Sequence, residues 1–315
     1  MNARWQRWLV AAHWTVLALW LAWWWPRSPA WALAGWVLVP LASRLALAPQ
    51  FVLAAWVGRH DPSPRPGALQ WIAAWARESH WAALVFGWWQ PFRSNALPDA
   101  LAGQAGRRGV VLVHGLLCNR GFWTPWLRLL RARGHAVVAV TLEPPFAGID
   151  GYAPAIDAAV RRVAQATGRA PLVVGHSMGG LAVRAWLRAF HDADARACRV
   201  VTIGSPHHGA WTARGARSAN GVQMAPGSAW LRALAAQEPP ARRAAMVCWA
   251  SNADNVVYPP STAHLEGADN RWRLGVPHIT LAFDREVLQH CLQLLDAPDA
   301  AGGENAPRQW HHCAP

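Results

Sequence analysis

The octapeptide Val173-Val174-Gly175-His176-Ser177-Met178-Gly179-Gly180 has an apolar, β-type run on its left and a helix-like run on its right, with Gly-x-Ser-x-Gly at its centre. A strand that turns sharply into a helix holds the middle residue on a strained corner, with its side chain exposed above a sheet. Gly175 and Gly179, two residues either side of Ser177, remove the Cβ atoms that would clash across so tight a turn. A serine held in this way is placed to attack an ester or amide carbonyl, provided a histidine can take its proton.

Working outward, Val110 to Val113 reads as a strand, Phe122 to Arg133 as a helix, Ala136 to Leu142 as a strand and Tyr152 to Ala166 as a helix. Leu172 to Val174 is the strand that feeds Ser177, and Met178 to Phe190 is the helix behind it. Arg199 to Ile203 and Ala245 to Ala250 read as strands, and Asp284 to Leu295 as a closing helix. Strands alternating with helices predict an α/β fold, a mostly parallel sheet with helices on both faces.

The front of the chain has a different character. Trp8 to Trp25 carries no Asp, Glu or Arg and follows Arg4 and Arg7. A run of this length can cross a bilayer core of about 30 Å. Trp5 and Trp8 at one end, with Trp23, Trp24 and Trp25 at the other, sit where aromatic belts form. Pro26 then ends the helix. A second apolar stretch, Pro29 to Val57, is interrupted by Arg44 and Pro49, and reads as a further span or as a span followed by an interfacial segment. A cleaved signal peptide would need a polar chain after the Ala-x-Ala sequences at Ala30 to Ala34, and the chain there stays apolar. A buried helix of a soluble domain is the other alternative. The arginines favour a hairpin with both ends inside: Arg4 and Arg7 before, Arg27 alone between, and Arg44, Arg59 and Arg65 after.

The expected organisation is therefore an N-terminal hydrophobic helical membrane region and linker over 1–66, the linker being the Pro-rich Asp61 to Gly67. A Trp-rich amphipathic helix and lead-in follow over 67–108, packed on the next domain or lying in the membrane interface. The α/β domain covers 109–296, and 297–315, rich in Ala, Gly and Pro, is expected to be disordered. By count, 15 of the 23 tryptophans precede Arg93, which favours an interface location for this whole front region. The expected location is the bacterial inner membrane, with the side of the catalytic domain left open.

Of the 315 residues 53% are hydrophobic, enough for a sizeable core, and the formal charge is +13. All 30 basic residues are arginines, scattered singly and in pairs, so the charge fits a surface beside anionic lipid headgroups and no nucleic-acid partner is expected. Cys118, Cys198, Cys248, Cys291 and Cys313 are odd in number and widely spaced, unlike a zinc site or a secreted disulfide framework.

From about Gly109 to Leu295 the chain resembles an α/β-hydrolase, most like bacterial triacylglycerol lipases and related esterases. The matching pieces are Val113-His114-Gly115-Leu116, Gly175-His176-Ser177-Met178-Gly179-Gly180, Gly204-Ser205-Pro206-His207-His208-Gly209 and Gln223-Met224-Ala225-Pro226-Gly227-Ser228. The resemblance implies that Ser177 is the nucleophile, followed in chain order by an acid and a histidine. The base is expected to be His278, in a loop before the last helix. His191, His207, His208, His264 and His290 are set aside, and His311 and His312 belong to the tail, where a metal role with Cys313 is conceivable. The acid is expected to be Asp254, after the next-to-last strand, with an Asx turn as its plain alternative; Asp269 and Asp284 are rivals, and Asp284 suits the cap of the closing helix. The oxyanion hole should use the amides of Met178 and Leu116, the latter in a loop shaped by His114 and Gly115, with His176, Gly175 and Gly179 supporting. The segment 210–243 is expected to form a small cap, or else an extra surface helix. No metal or organic cofactor is implied. The expected activity is serine-dependent cleavage of lipid-like carboxylic esters. The alternatives are acyl transfer or thioester cleavage on the same residues, and a non-catalytic lipase-like scaffold or chaperone. Membrane lipids are expected to contact the N-terminal region; the oligomeric state is open.

Overall fold

The structure, a computed structural model, describes residues 2–102 and 106–297. The tail residues His311, His312 and Cys313 lie outside the described residues. Six strands form one parallel sheet: β1 (Val110–Val113), β2 (Val137–Val140), β3 (Leu172–His176), β4 (Arg199–Ile203), β5 (Met246–Ser251) and β6 (Asp269–Arg273). Their order is β2-β1-β3-β4-β5-β6. The chain steps from β1 to β2 on one side and then returns to lay β3 on the other. The carboxyl ends of β1 and β3 therefore flank a topological switch point, where open α/β sheets hold their ligands.

Helices enclose this sheet. Ahead of it lie α1 (Asn2–Trp24), α2 (Pro29–Leu45), α3 (Ala48–Val57), α4 (Ala68–Leu84) and the short α5 (Gln90–Arg93). Between the strands come α6 (Thr124–Ala132), α7 (Ala153–Thr167), α8 (Met178–Ala189), α9 (Ala193–Arg196), α10 (Ala219–Gln223), α11 (Ala229–Ala236) and α12 (Pro240–Ala244), and then α13 (His278–Leu281) and α14 (Arg285–Asp296) close the chain. Alternation along each strand divides the core into two layers. Val111, Val113 and Val173 face α7 and α8, whereas Val110, Leu112 and Val174 face α6 and α14.

Most of these elements begin and end close to where the sequence places them. Two elements, β6 and the one-turn α13, lie where the sequence suggests neither. The β6 sequence Asp269-Asn270-Arg271-Trp272-Arg273 carries no apolar alternation because it is an edge strand, paired only with β5. Charge on an edge strand costs little and discourages pairing with other chains. At the opposite edge the backbone of Ala100 bridges Val137 in antiparallel sense.

The segment 210–243 carries α10, α11 and α12 and is pinned by polar contacts. Arg184 on α8 makes a bidentate ion pair with Glu238, at 3.0 and 2.7 Å, and both side chains are almost fully buried. Burial and then the Arg184 charge hold His207 well below the ordinary histidine range, so it stays neutral beside this pair. Arg184→Met leaves the Glu238 carboxylate buried without its partner and is expected to cost about 3–5 kcal/mol of stability. Urea denaturation of the variant and of the double variant Arg184→Met/Glu238→Leu checks this; the double change should recover much of the loss.

The N-terminal region folds back on itself. Trp20 Nε1 donates to the Trp31 carbonyl at 2.9 Å and the rings of Trp14 and Trp36 meet edge to face, so α1 and α2 form a hairpin. The helical stretch Pro29–His60 is long and apolar enough to cross a membrane, and only 11% of its most apolar window is buried, unlike the core helix of a soluble domain. Two residues in turn conformation, Ala46 and Leu47, separate α2 from α3. The segment 61–67, expected as a linker, also bonds to the sheet domain: the Asp61 carboxylate accepts from the Ser261 hydroxyl, and Asn252 donates to the Pro64 carbonyl at 2.8 Å. Helix α4 buries Ala74, Glu78 and Ser79 and exposes Leu69 and Ile72. Its partner is the start of the closing helical segment, where Trp81 lies 4.5 Å from Phe283.

Candidate active site

Ser177 sits between β3 and α8 with φ 56° and ψ −129°. A non-glycine residue held there stores about 1–3 kcal/mol of backbone strain, and such strain gathers at functional sites. Its amide donates to the Ile203 carbonyl at 2.8 Å, which ties the corner to the end of β4. A Cβ on Gly175 would fall 2.7 Å from Gly180 Cα, and one on Gly179 would fall 2.3 Å from the Val113 carbonyl oxygen. Both glycines are therefore required by close approach.

Asp254 and His278 meet beside this corner. His278 Nδ1 lies 2.8 Å from Asp254 Oδ2, and both residues are buried. The other carboxylate oxygen of Asp254 accepts the amides of Val256 and Val257 at 2.8 and 2.7 Å, so the Asx turn and the histidine contact coexist in one side chain. A Cβ on Gly204, at the end of β4, would lie 3.2 Å from both Asp254 Oδ2 and His278 Nδ1. Burial opposes the imidazolium form of His278, but the charge and hydrogen bond of Asp254, together with the charge of Glu78, outweigh it and raise the pKa above the ordinary value. His278 is the first residue of the one-turn helix α13, not part of a loop. Among the described residues no hydrogen bond joins the Ser177 hydroxyl to His278, whose ring bonds to Asp254.

The two rival acids stand elsewhere. Asp269 opens β6, is exposed and pairs with Arg271 at 2.8 Å. Asp284 caps α14, accepting from the Glu286 amide at 3.0 Å.

The loop after β1 is held by His114. Its Nε2 accepts from the Leu142 amide at 3.0 Å, so the proton resides on Nδ1, which donates to the Gly115 carbonyl at 2.8 Å. Burial pushes the His114 pKa down to about 4, so the ring is neutral. In a trans peptide the carbonyl and the following N–H point opposite ways. Fixing the Gly115 carbonyl therefore fixes the Leu116 amide on the other side. Leu117 follows with φ 59°, and with Ser177 it makes two non-glycine residues of positive φ among the described residues. On the other side of Ser177, Met178 opens α8, where the first amides have no intrahelical partner.

His176 is buried and stacks on Phe122, with ring centroids 4.7 Å apart. Its Nε2 lies 3.1 Å from the His278 carbonyl oxygen, and burial holds its pKa well below the ordinary value, so the neutral ring donates that hydrogen bond. His290 lies within α14. Burial pushes Cys118 and Cys248 up to about 12, which makes them unreactive thiols. Among the described residues no group of three His, Cys, Asp or Glu side chains could hold a metal ion.

The sequence reading missed the residues that reach this site from the N-terminal region. Asn2 Nδ2 donates to the Cys118 carbonyl at 2.7 Å and Gln6 Nε2 to the Leu117 carbonyl at 3.0 Å. Gln50 Oε1 accepts from Asn255, whose own Oδ1 accepts the His278 amide at 3.2 Å. Glu78 on α4 accepts the amides of Ile279 and Thr280. The one available signal was a lone acid, Glu78, inside a tryptophan-rich helix.

Residues 110–312 match the model of the alpha/beta hydrolase family. No curated protein matches the chain. Among solved structures, the chain is similar to a Bacillus licheniformis lipase in its mature form, with a TM-score of 0.55 at 20% identity over 63% of this chain and 96% of that one. The propeptide form of that lipase gives a TM-score of 0.53 at 19% identity, over 66% of this chain and 54% of that one. At these identities the likeness speaks for the fold.

Proposed function

The chain belongs to the α/β-hydrolase family, and from that premise we propose that it is a membrane-anchored serine hydrolase that cleaves lipid-like carboxylic esters. The observation that carries the reading is the buried His278–Asp254 contact at 2.8 Å beside the strained Ser177 corner. Ser177 Oγ attacks the ester carbonyl while His278 Nε2 takes its proton, and Asp254 stabilises the imidazolium and holds its tautomer. The developing oxyanion is received by the amides of Met178 and Leu116, each worth about 3 kcal/mol to the transition state. His278 returns the proton to the departing alcohol, and water then cleaves the acyl-serine by the same route. The exposed apolar surface of the α1–α2 hairpin, including Trp8, Trp14, Trp31 and Trp36, supports an anchor in lipid. Both hairpin ends return to the sheet domain, which supports the arrangement with both ends on one side of the bilayer.

The test is hydrolysis of a p-nitrophenyl ester series from acetate to palmitate by the full chain in detergent. We expect turnover that rises with acyl length beyond butyrate. A preference for acetate would remove the lipid-like substrate class, and absence of hydrolysis along the series would contradict the reading. Added glycerol, with acyl-glycerol as product, would instead identify acyl transfer.

A further inference from the structure

Helix α13 carries His278 on its first residue, and a one-turn helix has little stability of its own. Its buried amide donors, which lack intrahelical partners, are met from a distant part of the chain. Glu78 Oε1 accepts the Ile279 amide at 2.8 Å, while Oε2 accepts the Thr280 amide and the Thr280 hydroxyl, both at 3.1 Å. Glu78 is 1% exposed. Two oxygens thus serve three donors, which a glutamine could not do, because its amide nitrogen accepts nothing. A buried carboxylate is costly unless it is compensated, so its presence here calls for a role.

We propose that Glu78 is a positioning residue for His278: it clamps the helix on which the base rides and stands as a second buried carboxylate behind the imidazolium formed during acylation. The proposal rests on the serine-hydrolase reading above. Charged and titratable groups surround Glu78 from each element packed on it. On α4 its neighbour Arg77 is turned to the Gly275 carbonyl. From α13 the facing group is His278, and from the loop after β5 it is Asp254. Burial pushes the Glu78 carboxyl up to about 7, against the pull of the Ile279 amide and His278. Above that pH it is an anion. Glu78 takes no proton from the reaction; the Ser177 proton passes to His278 and on to the leaving alcohol.

The base must be neutral to act, so activity falls as pH drops through the raised His278 pKa. Removing a nearby anion disfavours the imidazolium and lowers that pKa. Glu78→Gln should therefore move the acidic limb of kcat/KM to lower pH by about half a unit or more. It should also lower kcat at pH 8.5 by about ten- to a hundredfold as the base loses its clamp, with KM changed little. Glu78→Asp should restore the position of the limb in part. Thr280→Val removes one donor to Glu78 and should give a smaller shift in the same direction.

The measurement is the pH profile of p-nitrophenyl butyrate hydrolysis by the full-length protein, alongside the rate of fluorophosphonate labelling at Ser177 and thermal melts of each variant. A folded Glu78→Gln protein with the wild-type profile and kcat would overturn the proposal. If that variant does not fold, Thr280→Val decides, and an unshifted limb would overturn the proposal. Failure of the wild type to label at Ser177 would instead remove the serine-hydrolase reading beneath it.

Discussion

Ser177→Ala is expected to lower kcat for p-nitrophenyl butyrate hydrolysis by about 10⁴-fold or more, to the level left by binding and the oxyanion donors alone. The change removes one oxygen from a corner whose backbone is held by other groups. The Ser177 amide bonds to the Ile203 carbonyl, and Gly175 and Gly179 make the turn possible. Alanine at φ 56° carries the same backbone strain as serine, so the variant should melt close to the wild type. Loss of activity with retained stability separates a chemical role from a structural one. Full activity in a folded Ser177→Ala protein would remove the nucleophile from the account.

Asp254→Asn carries the second large effect, about 10⁴-fold in kcat. The geometry gives the reason. One oxygen of Asp254 is committed to the amides of Val256 and Val257, at 2.8 and 2.7 Å. An asparagine would keep its carbonyl oxygen there and turn its NH₂ group toward His278 Nδ1. That nitrogen would then have to accept rather than donate, which moves the imidazole proton to Nε2, where it blocks removal of the Ser177 proton. The substitution is nearly isosteric, so the melt should change little while kcat collapses. A profile in which kcat is retained would mean that Asp254 serves only its Asx turn.

Much of this was legible in the sequence because it depends on local rules. Gly-x-Ser-x-Gly between a β-branched run and a helix-forming run specifies the corner at Ser177, and the β-branched runs at Val110–Val113 and Arg199–Ile203 specify strands buried on both faces. Asp284 was readable as a cap from its position before an amphipathic run. The edge strand Asp269–Arg273 was not readable, because an exposed edge need not alternate apolar and polar residues. Nor could the sequence reveal that Asn2, Gln6, Gln50 and Glu78 reach the loops of the site, since those bonds join residues more than a hundred positions apart. The segment 61–67 reads as a linker because proline and glycine break periodic structure. The same residues can dock, as the bonds of Asp61 and Pro64 demonstrate, since a turn-rich composition limits backbone shape and says nothing of partners.

These long-range bonds also change the view of the N-terminal region. In the described structure, helices α1, α3 and α4 contact, in turn, the loop after β1, the loop after β5 and the start of α13. The apolar hairpin is thus continuous with residues that brace the site.

The most direct test of the central claim is peptide mapping by mass spectrometry after treating the full-length protein with a fluorophosphonate. One adduct is expected, on the peptide containing Ser177, formed as activity is lost and absent from the His278→Ala protein on the same timescale. An adduct on another residue that tracks the loss of activity, or an active protein that takes up no label, would contradict that claim.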